Sequence, residues 1–417
     1  MKKKQVRKAA SSKSTPPTPR KRRVTMPHEP DRRRAQELVV QLLAIPGRSG
    51  REDQVLKFIR EKLRGAGVPE EAIKTDQAHR RSLHGGDVGN LVCKLPGTHA
   101  GPRRLLMAHV DTVPLCEGTV PVVRRGMVVP ADKSTALGAD DRAGAAVVLN
   151  TALEILRNQA PHPPLTFFWT VQEEVGLHGA RHARLGLLGK PKLAFNFDGG
   201  SPDKLTVGAT GGYRMAIRVK GIASHAGGAP EDGVSAVAVA SLAIAELHRE
   251  GWHGLIEKNG RTGTSNVGAI RGGEATNVVT PLVEIRAEAR SHDPVFRRRI
   301  VRAIERAFRK AARAVRNREG VSGQVTFDGR LDYESFKLAD DEPCVLEAEA
   351  AVCRAGDQPI RAICNGGLDA NWLSARGIPT VTLGCGQKNP HTTEEKLDLA
   401  EFHQGCRIAL CLATGTA

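Results

Sequence analysis

No apolar run in this 417-residue chain approaches the roughly 18 residues of a membrane span, so a membrane-spanning role is not expected. None of the eight cysteines, spread from Cys93 to Cys411, forms a Cys-x-x-Cys pair. That absence argues against structural zinc and a disulfide framework, and it suits reduced thiols in a cytoplasm. The amino terminus is basic but has no apolar stretch behind its charges, so it does not read as a secretory signal. No Gly-x-Gly-x-x-Gly follows the first strand, which removes the dinucleotide fingerprint. Acid is missing from the segment before Met26. Ten Lys and Arg lie there, leaving +7 of the chain's net +17 to the rest. Rich in Lys, Arg, Ser, Thr and Pro, this tail cannot bury apolar area and is expected to be disordered. It lacks aromatics for base stacking, so any contact with nucleic acid through it is expected to be weak.

The length exceeds one compact core, and two folded units are expected. Leu38, Val39, Leu42 and Leu43 recur at helical spacing, and Val55, Phe58, Ile59 and Leu63 mark a second helix. Residues 90–95, 104–113, 165–171 and 193–197 read as buried strands, with a hairpin over 121–130 and an alanine-rich helix over 144–157. Such alternation predicts an α/β domain with helices on both faces of its sheet. From residue 213 the pattern changes. Strands over 213–220, 264–270, 283–290 and 324–333, with helices over 235–248 and 294–316, give the order βαββαβ of a ferredoxin-like unit. The arginine-dense side of the second of these helices reads as a solvated face. The α/β pattern resumes at Phe336. The expected layout is therefore a basic tail over 1–30, an α/β domain over 31–209 and 335–417, and an inserted domain over 210–334.

Chemistry-bearing residues stand at the ends of the apolar strands. Leu105-Leu-Met-Ala-His-Val-Asp-Thr-Val113 places His109 and Asp111 two apart, which in a strand is one face. A neutral imidazole can ligate zinc while a carboxylate holds its tautomer. Gly138-Ala-Asp-Asp-Arg-Ala-Gly144 precedes the alanine-rich helix; its aspartates can cap that helix, or a carboxylate can bridge two metals. Val171-Gln-Glu-Glu-Val-Gly176 ends a strand in paired glutamates, costly to bury without partners. One can ligate a metal while its neighbour takes a proton from water. Phe195-Asn-Phe-Asp-Gly-Gly200 ends another strand in Asp198, and Asn389-Pro-His-Thr-Thr-Glu394 puts His391 in a late loop. Cys385, between two glycines, has no accompanying His/Asn signature and reads as a packing position.

With these motifs in order, the chain from about residue 31 onward resembles the dinuclear zinc exopeptidases that include peptidase T, glutamate carboxypeptidase and aminoacylases. The peptidase T-like branch is the most similar. The resemblance implies a mixed sheet flanked by helices, interrupted by a ferredoxin-like βαββαβ lid that mediates dimerisation in many members. It implies two zinc ions per chain, with cobalt or manganese able to substitute. His109 and Asp198 would complete one site, Glu174 and His391 the other, with Asp140 bridging and a cis peptide between Asp140 and Asp141. Glu173 would be the general base and Asp111 the partner of a metal histidine. Gly221-Ile-Ala-Ser-His225-Ala-Gly matches the lid histidine loop, making His225 the candidate oxyanion donor. Asn277, in Gly273-Glu-Ala-Thr-Asn-Val-Val, and Arg290 match positions that hold a substrate carboxylate. Leu368 stands where the family often has Ser or Thr. The implied activity is hydrolysis of short peptides by a cytoplasmic homodimer. The alternatives are an N-acyl amino acid deacylase or carboxypeptidase and, in another class, a binding scaffold that uses its basic tail.

Overall fold

Four parallel strands carry the molecule: Arg104–His109, Leu165–Thr170, Leu193–Phe197 and Thr380–Leu383. They form the middle of a nine-stranded mixed sheet in the computed structural model, which describes residues 29–415. The basic tail expected before Met26 lies outside those residues. Ile73–Thr75 and Leu91–Leu95 extend one side antiparallel. Lys204–Ala209, Phe336–Lys337 and Ile360–Cys364 extend the other.

Period-2 alternation sorts the side chains between two cores. Leu106, Ala108, Phe167, Trp169, Phe195 and Phe197 face one cluster, packed with Arg32–Leu43, Asp53–Gly65, the helix after Asp141 and Leu399–Thr414. Leu105, Met107, Phe168 and Ala194 face a smaller cluster with Ala180 and Leu373. The strands are buried on both sides, as the apolar runs require. Each fully buried Leu or Phe contributes about 1.5–3 kcal/mol. The hairpin Pro121–Arg124 and Met127–Pro130 joins two late strands, Gln387–Lys388 and Lys396–Asp398, in a separate four-stranded sheet.

After Lys204–Ala209 the chain leaves this sheet and builds a second one. Its five antiparallel strands run in the order Gly254–Lys258, Arg261–Gly272, Leu282–Ser291, Gly211–Lys220, Gln324–Tyr333. Ala236–Arg249 and Pro294–Ala314 cover one face with a core of their own. The ferredoxin-like order is present with one addition, the edge strand Gly254–Lys258. Asn259 and Gly260 join it to its neighbour with φ of 52° and 70°, the two-residue hairpin for which Asn-Gly is suited. Seven arginines and lysines of Pro294–Ala314 are exposed, in agreement with the solvated face expected. Among the described residues no helix is long and apolar enough to cross a membrane.

The two connections between the sheets are clamped together. Asn371, in the helix Asp369–Ala375, donates from Nδ2 to the carbonyls of Thr210 (2.9 Å) and Glu334 (2.7 Å). Trp372 Nε1 donates to the Asp332 carbonyl at 3.1 Å. That helix begins with Asp369, which lies beside the site described next.

Candidate metal and active site

Parallel strands release their carboxyl ends at one edge, and loops there gather side chains. His109 closes its strand and is 2 % exposed. The strand stops at His109, so Asp111 lies beyond it and strand alternation does not account for their meeting. The turn does: His109 Nδ1 sits 3.2 Å from the Asp111 carbonyl oxygen and 3.4 Å from Asp111 Oδ1. Donors on three sides fix the Asp111 carboxylate: Ser49 Oγ at 2.7 Å, the Glu173 amide at 2.9 Å and the Glu174 amide at 3.1 Å. With acceptors at Nδ1, the imidazole carries a proton there and presents Nε2 to Asp140.

Asp140 stands between two histidines. Its Oδ1 is 3.2 Å from His109 Nε2 and its Oδ2 is 3.4 Å from His391 Nε2. His391 Nε2 also lies 2.8 Å from Glu174 Oε1. The Asp140–Asp141 peptide is cis. Glu395, 1 % exposed, accepts from the amides of Gly138 (2.7 Å) and Asp140 (3.0 Å) and so fixes the backbone that presents Asp140. Asp198 follows Leu193–Phe197, its amide bonded to the Leu383 carbonyl at 2.9 Å.

Ligand atoms of His109, Asp140 and Glu174 lie within 4.8 Å of one another, as do those of His109, Asp141 and Asp198. All five residues expected as ligands therefore meet in one place. Asp141 joins them in space, yet its oxygens already accept from the amides of Gly144 and His109 and from Gln387 Nε2. The sulfur of Cys385 lies 3.7 Å from Asp141, its thiol pushed far up by burial and by Asp141. It is protonated and packed, as its setting between glycines predicted.

The site is short of positive charge. Burial, then Asp198 and Glu174, push Glu173 well above the usual carboxylate range despite the pull of His109. Burial and Asp140 raise Asp198 to about 8, and burial raises Asp369 to about 6. Hydrogen bonds to Asp140 and Glu174 raise His391 to about 10. Burial opposes a charge on His109, but Asp111 and Asp140 raise its pKa well above normal. Protons and divalent cations compete for such a cluster. Mixed nitrogen and oxygen donors suit zinc, cobalt or manganese. The residues present thus fit the metals that the sequence resemblance implies.

Three of the expected residues lie apart. His225 is exposed in the inserted sheet's loop region, its Nδ1 accepting from the Gly227 (3.2 Å) and Gly228 (2.9 Å) amides. Its proton is therefore on Nε2, directed away from the loop's own amides. Asn277 is exposed beside it, its carbonyl accepting the Ala226 amide. Arg290 is half-buried and paired with Glu288 at 2.9 and 3.0 Å. Among the described residues no hydrogen bond or ion pair joins these three to the metal-ligand cluster. A cleft of about 650 Å³ separates the two parts, touched by Glu174, Val175 and His84 on one side and by the inserted sheet on the other.

Several supporting residues carry no local sequence signal: Ser49, Glu395 and Gln387 act on groups far away in the chain. Glu52 is different. It is a buried acid, accepting from the Gly50 (2.7 Å) and Gln172 (3.1 Å) amides, with Oε2 unpartnered. Gln172, at φ 56°, leads directly into Glu173.

A mixed α/β sheet with carboxylates and histidines at its parallel strand ends, interrupted by a ferredoxin-like insert, is the build of a two-part metallohydrolase. Residues 105–414 match the model of Peptidase family M20/M25/M40, and the chain belongs to that family. It is 32% identical over 381 residues to the uncharacterized protein YqjE of Bacillus subtilis, covering 91% of this chain and 97% of that one. The structure of a tripeptidase from Staphylococcus aureus superposes with a TM-score of 0.84 at 29% identity, over 93% of this chain and 99% of that one. Aminopeptidase PepT from Bacillus cereus gives 0.80 at 30% identity, over 92% and 98%. The chain is accordingly a metallo-exopeptidase related to peptidase T.

Proposed function

We propose that this chain is a two-zinc exopeptidase that removes a terminal residue from short peptides, working as a cytoplasmic homodimer. The observation that carries the reading is Asp140 set between His109 and His391, with Glu174 and Asp198 beside them. His109 and Asp198 would hold one ion and Glu174 and His391 the other, with Asp140 available to both. Ions held there would supply Lewis acidity and make a nearby water more acidic. Glu173 accepts the proton of the attacking water and returns it to the leaving amine, a role its raised pKa suits. Asp111 holds His109 in its tautomer.

His225, with its proton on Nε2, stabilises the oxyanion. The family resemblance offers Asn277 and Arg290 for a substrate carboxylate, although Arg290 is already paired with Glu288. The exposed apolar residues Leu255, Ile270, Val278 and Leu282 support self-association through the inserted domain, which acts as a lid. The eight cysteines, spread along the chain without a Cys-x-x-Cys pair, support a reducing compartment.

Purified protein should contain about two divalent ions per chain and cleave di- or tripeptides with added zinc. Glu173→Gln should keep the ions and lose on the order of 10² or more in kcat. Wild-type turnover by that variant would remove the base. Hydrolysis of N-acyl amino acids with no peptide cleavage would move the enzyme to the deacylase reading.

A further inference from the structure

One face of the inserted sheet looks into the cleft beside Glu174. Met215, Ile217, Val283 and Ile285 are buried on the helix side. The alternate positions point the other way. Register places them in rows: Glu288, Arg214 and Arg330; then Arg286, Ala216 and Asp328; then Glu284, Arg218 and Thr326.

The charges of the outer rows are all paired within the chain. Arg218 pairs with Glu284 at 2.6 Å, and Arg290 takes Glu288 at 2.9 Å. Arg214 (2.8 Å) and Arg330 (3.1 Å) share the buried Asp332. The middle row differs. Arg286 and Asp328 are both exposed, and among the described residues neither has an ion pair or a side-chain hydrogen bond. The methyl of Ala216 lies between them and reaches neither. Two strand spacings set their Cα atoms about 10 Å apart. A free cation and a free anion thus flank a small floor in the cleft that Glu174 borders.

A free guanidinium matches a carboxylate in a planar, two-bond fit. Arg290, already committed to Glu288, is less available for it than Arg286. A carboxylate seated on Arg286 leaves Asp328 to face whatever lies on the far side of Ala216. There an acidic side chain is repelled and a basic one attracted.

Resting on the peptide reading above, we propose that this row seats the carboxy-terminal residue of the substrate. Arg286 pairs with its free carboxylate and Asp328 faces its side chain, so the enzyme favours short peptides ending in Lys or Arg.

The test uses the full chain with added zinc and four tripeptides: Ala-Ala-Lys and Ala-Ala-Glu, each with a free or an amidated carboxyl end. In the wild type, kcat/KM should favour the free over the amidated form by roughly tenfold or more, the size of one charge-assisted contact. The Lys peptide should exceed the Glu peptide. Arg286→Ala should collapse the free-over-amidated ratio, and Arg286→Lys should keep part of it. Asp328→Asn should collapse the Lys-over-Glu ratio and keep the free-over-amidated one. A merely structural role would move all four rates together. Peptide hydrolysis with both ratios unaltered in these variants would overturn the seat alone. So would loss of carboxylate preference in Arg290→Ala but not in Arg286→Ala. No hydrolysis of any of the four by the wild type would overturn the seat together with the peptide reading beneath it.

Discussion

At the scale of single residues, the site depends on groups that touch no ligand position directly. Glu395 takes two backbone amides and thereby presents Asp140. Glu395→Ala should leave those amides unpaired and weaken metal affinity by about 10–100-fold, measured by competition with a chelator, while Glu395→Gln should retain much of it. Equal affinities in Glu395→Ala and wild type would show that Asp140 holds its place alone. Glu52 offers a pH-dependent test. Burial, reinforced by the nearby Asp111, raises its carboxyl to about 8, so the folded state binds its proton more tightly than the unfolded chain does. The favourable contribution is complete below the unfolded value and is lost as pH rises from there through about 8. Glu52→Gln keeps an oxygen for the Gly50 and Gln172 amides and cannot ionise. It should melt above wild type at pH 8.5 and lose that advantage near pH 4.5; a constant difference in melting temperature would remove the burial argument. His109, Glu173, Glu174 and Asp198 stood out in the sequence because each ends an apolar strand or follows in the next turn, whereas Asp140, at a helix start, and His391, in a late loop, needed the family resemblance. Ser49, Glu395 and Gln387 were not legible, because a side chain that serves a distant backbone amide leaves no spacing to read.

At the scale of elements, apolar alternation was enough to locate the central strands and most helices, since strands buried on both faces must be continuously apolar. Lys204–Ala209 escaped notice although five of its six residues are buried, because Thr206 and Gly208 interrupt its apolar pattern; the edge strands Ile73–Thr75 and Phe336–Lys337 are short and mostly exposed. Gly254–Lys258 had a signal of its own in Asn259-Gly260, a hairpin pair whose flanking strand is too exposed to show a clean apolar pattern. The clamp on the two connections could not be read at all, because Asn371 binds carbonyls of Thr210 and Glu334 that meet only in the folded chain. Asn371→Ala would strand both carbonyls at a cost of about 1–3 kcal/mol each. It should lower the melting temperature and, by loosening the inserted sheet over the cleft, raise KM for peptides more than it lowers kcat. A lower melting temperature with unchanged KM would mean that the clamp serves stability alone.

At the scale of the whole molecule, the arrangement poses a problem of reach. The proposed base and metal positions line one part of the chain, while His225 sits exposed on the other, with no hydrogen bond or ion pair to them among the described residues. A dimer formed through the inserted domain solves this if the His225 loop of one subunit serves the site of its partner. Its small residues, Ala223-Ser-His-Ala-Gly-Gly228, allow close approach to a substrate. His225→Ala and Glu173→Gln would then damage different halves of a composite site. Each variant alone should be nearly inactive, since oxyanion stabilisation and base catalysis are each worth on the order of 10² or more in rate. Subunit exchange between them creates heterodimers with one site doubly damaged and the other intact. Activity should reappear, up to roughly half of wild type per heterodimer if each intact site works independently. The measurement is the peptidase rate of the mixture, with the dimer checked by light scattering and exchange by differently tagged subunits. Proven exchange without recovery would place His225 in the service of its own chain's site, or outside catalysis.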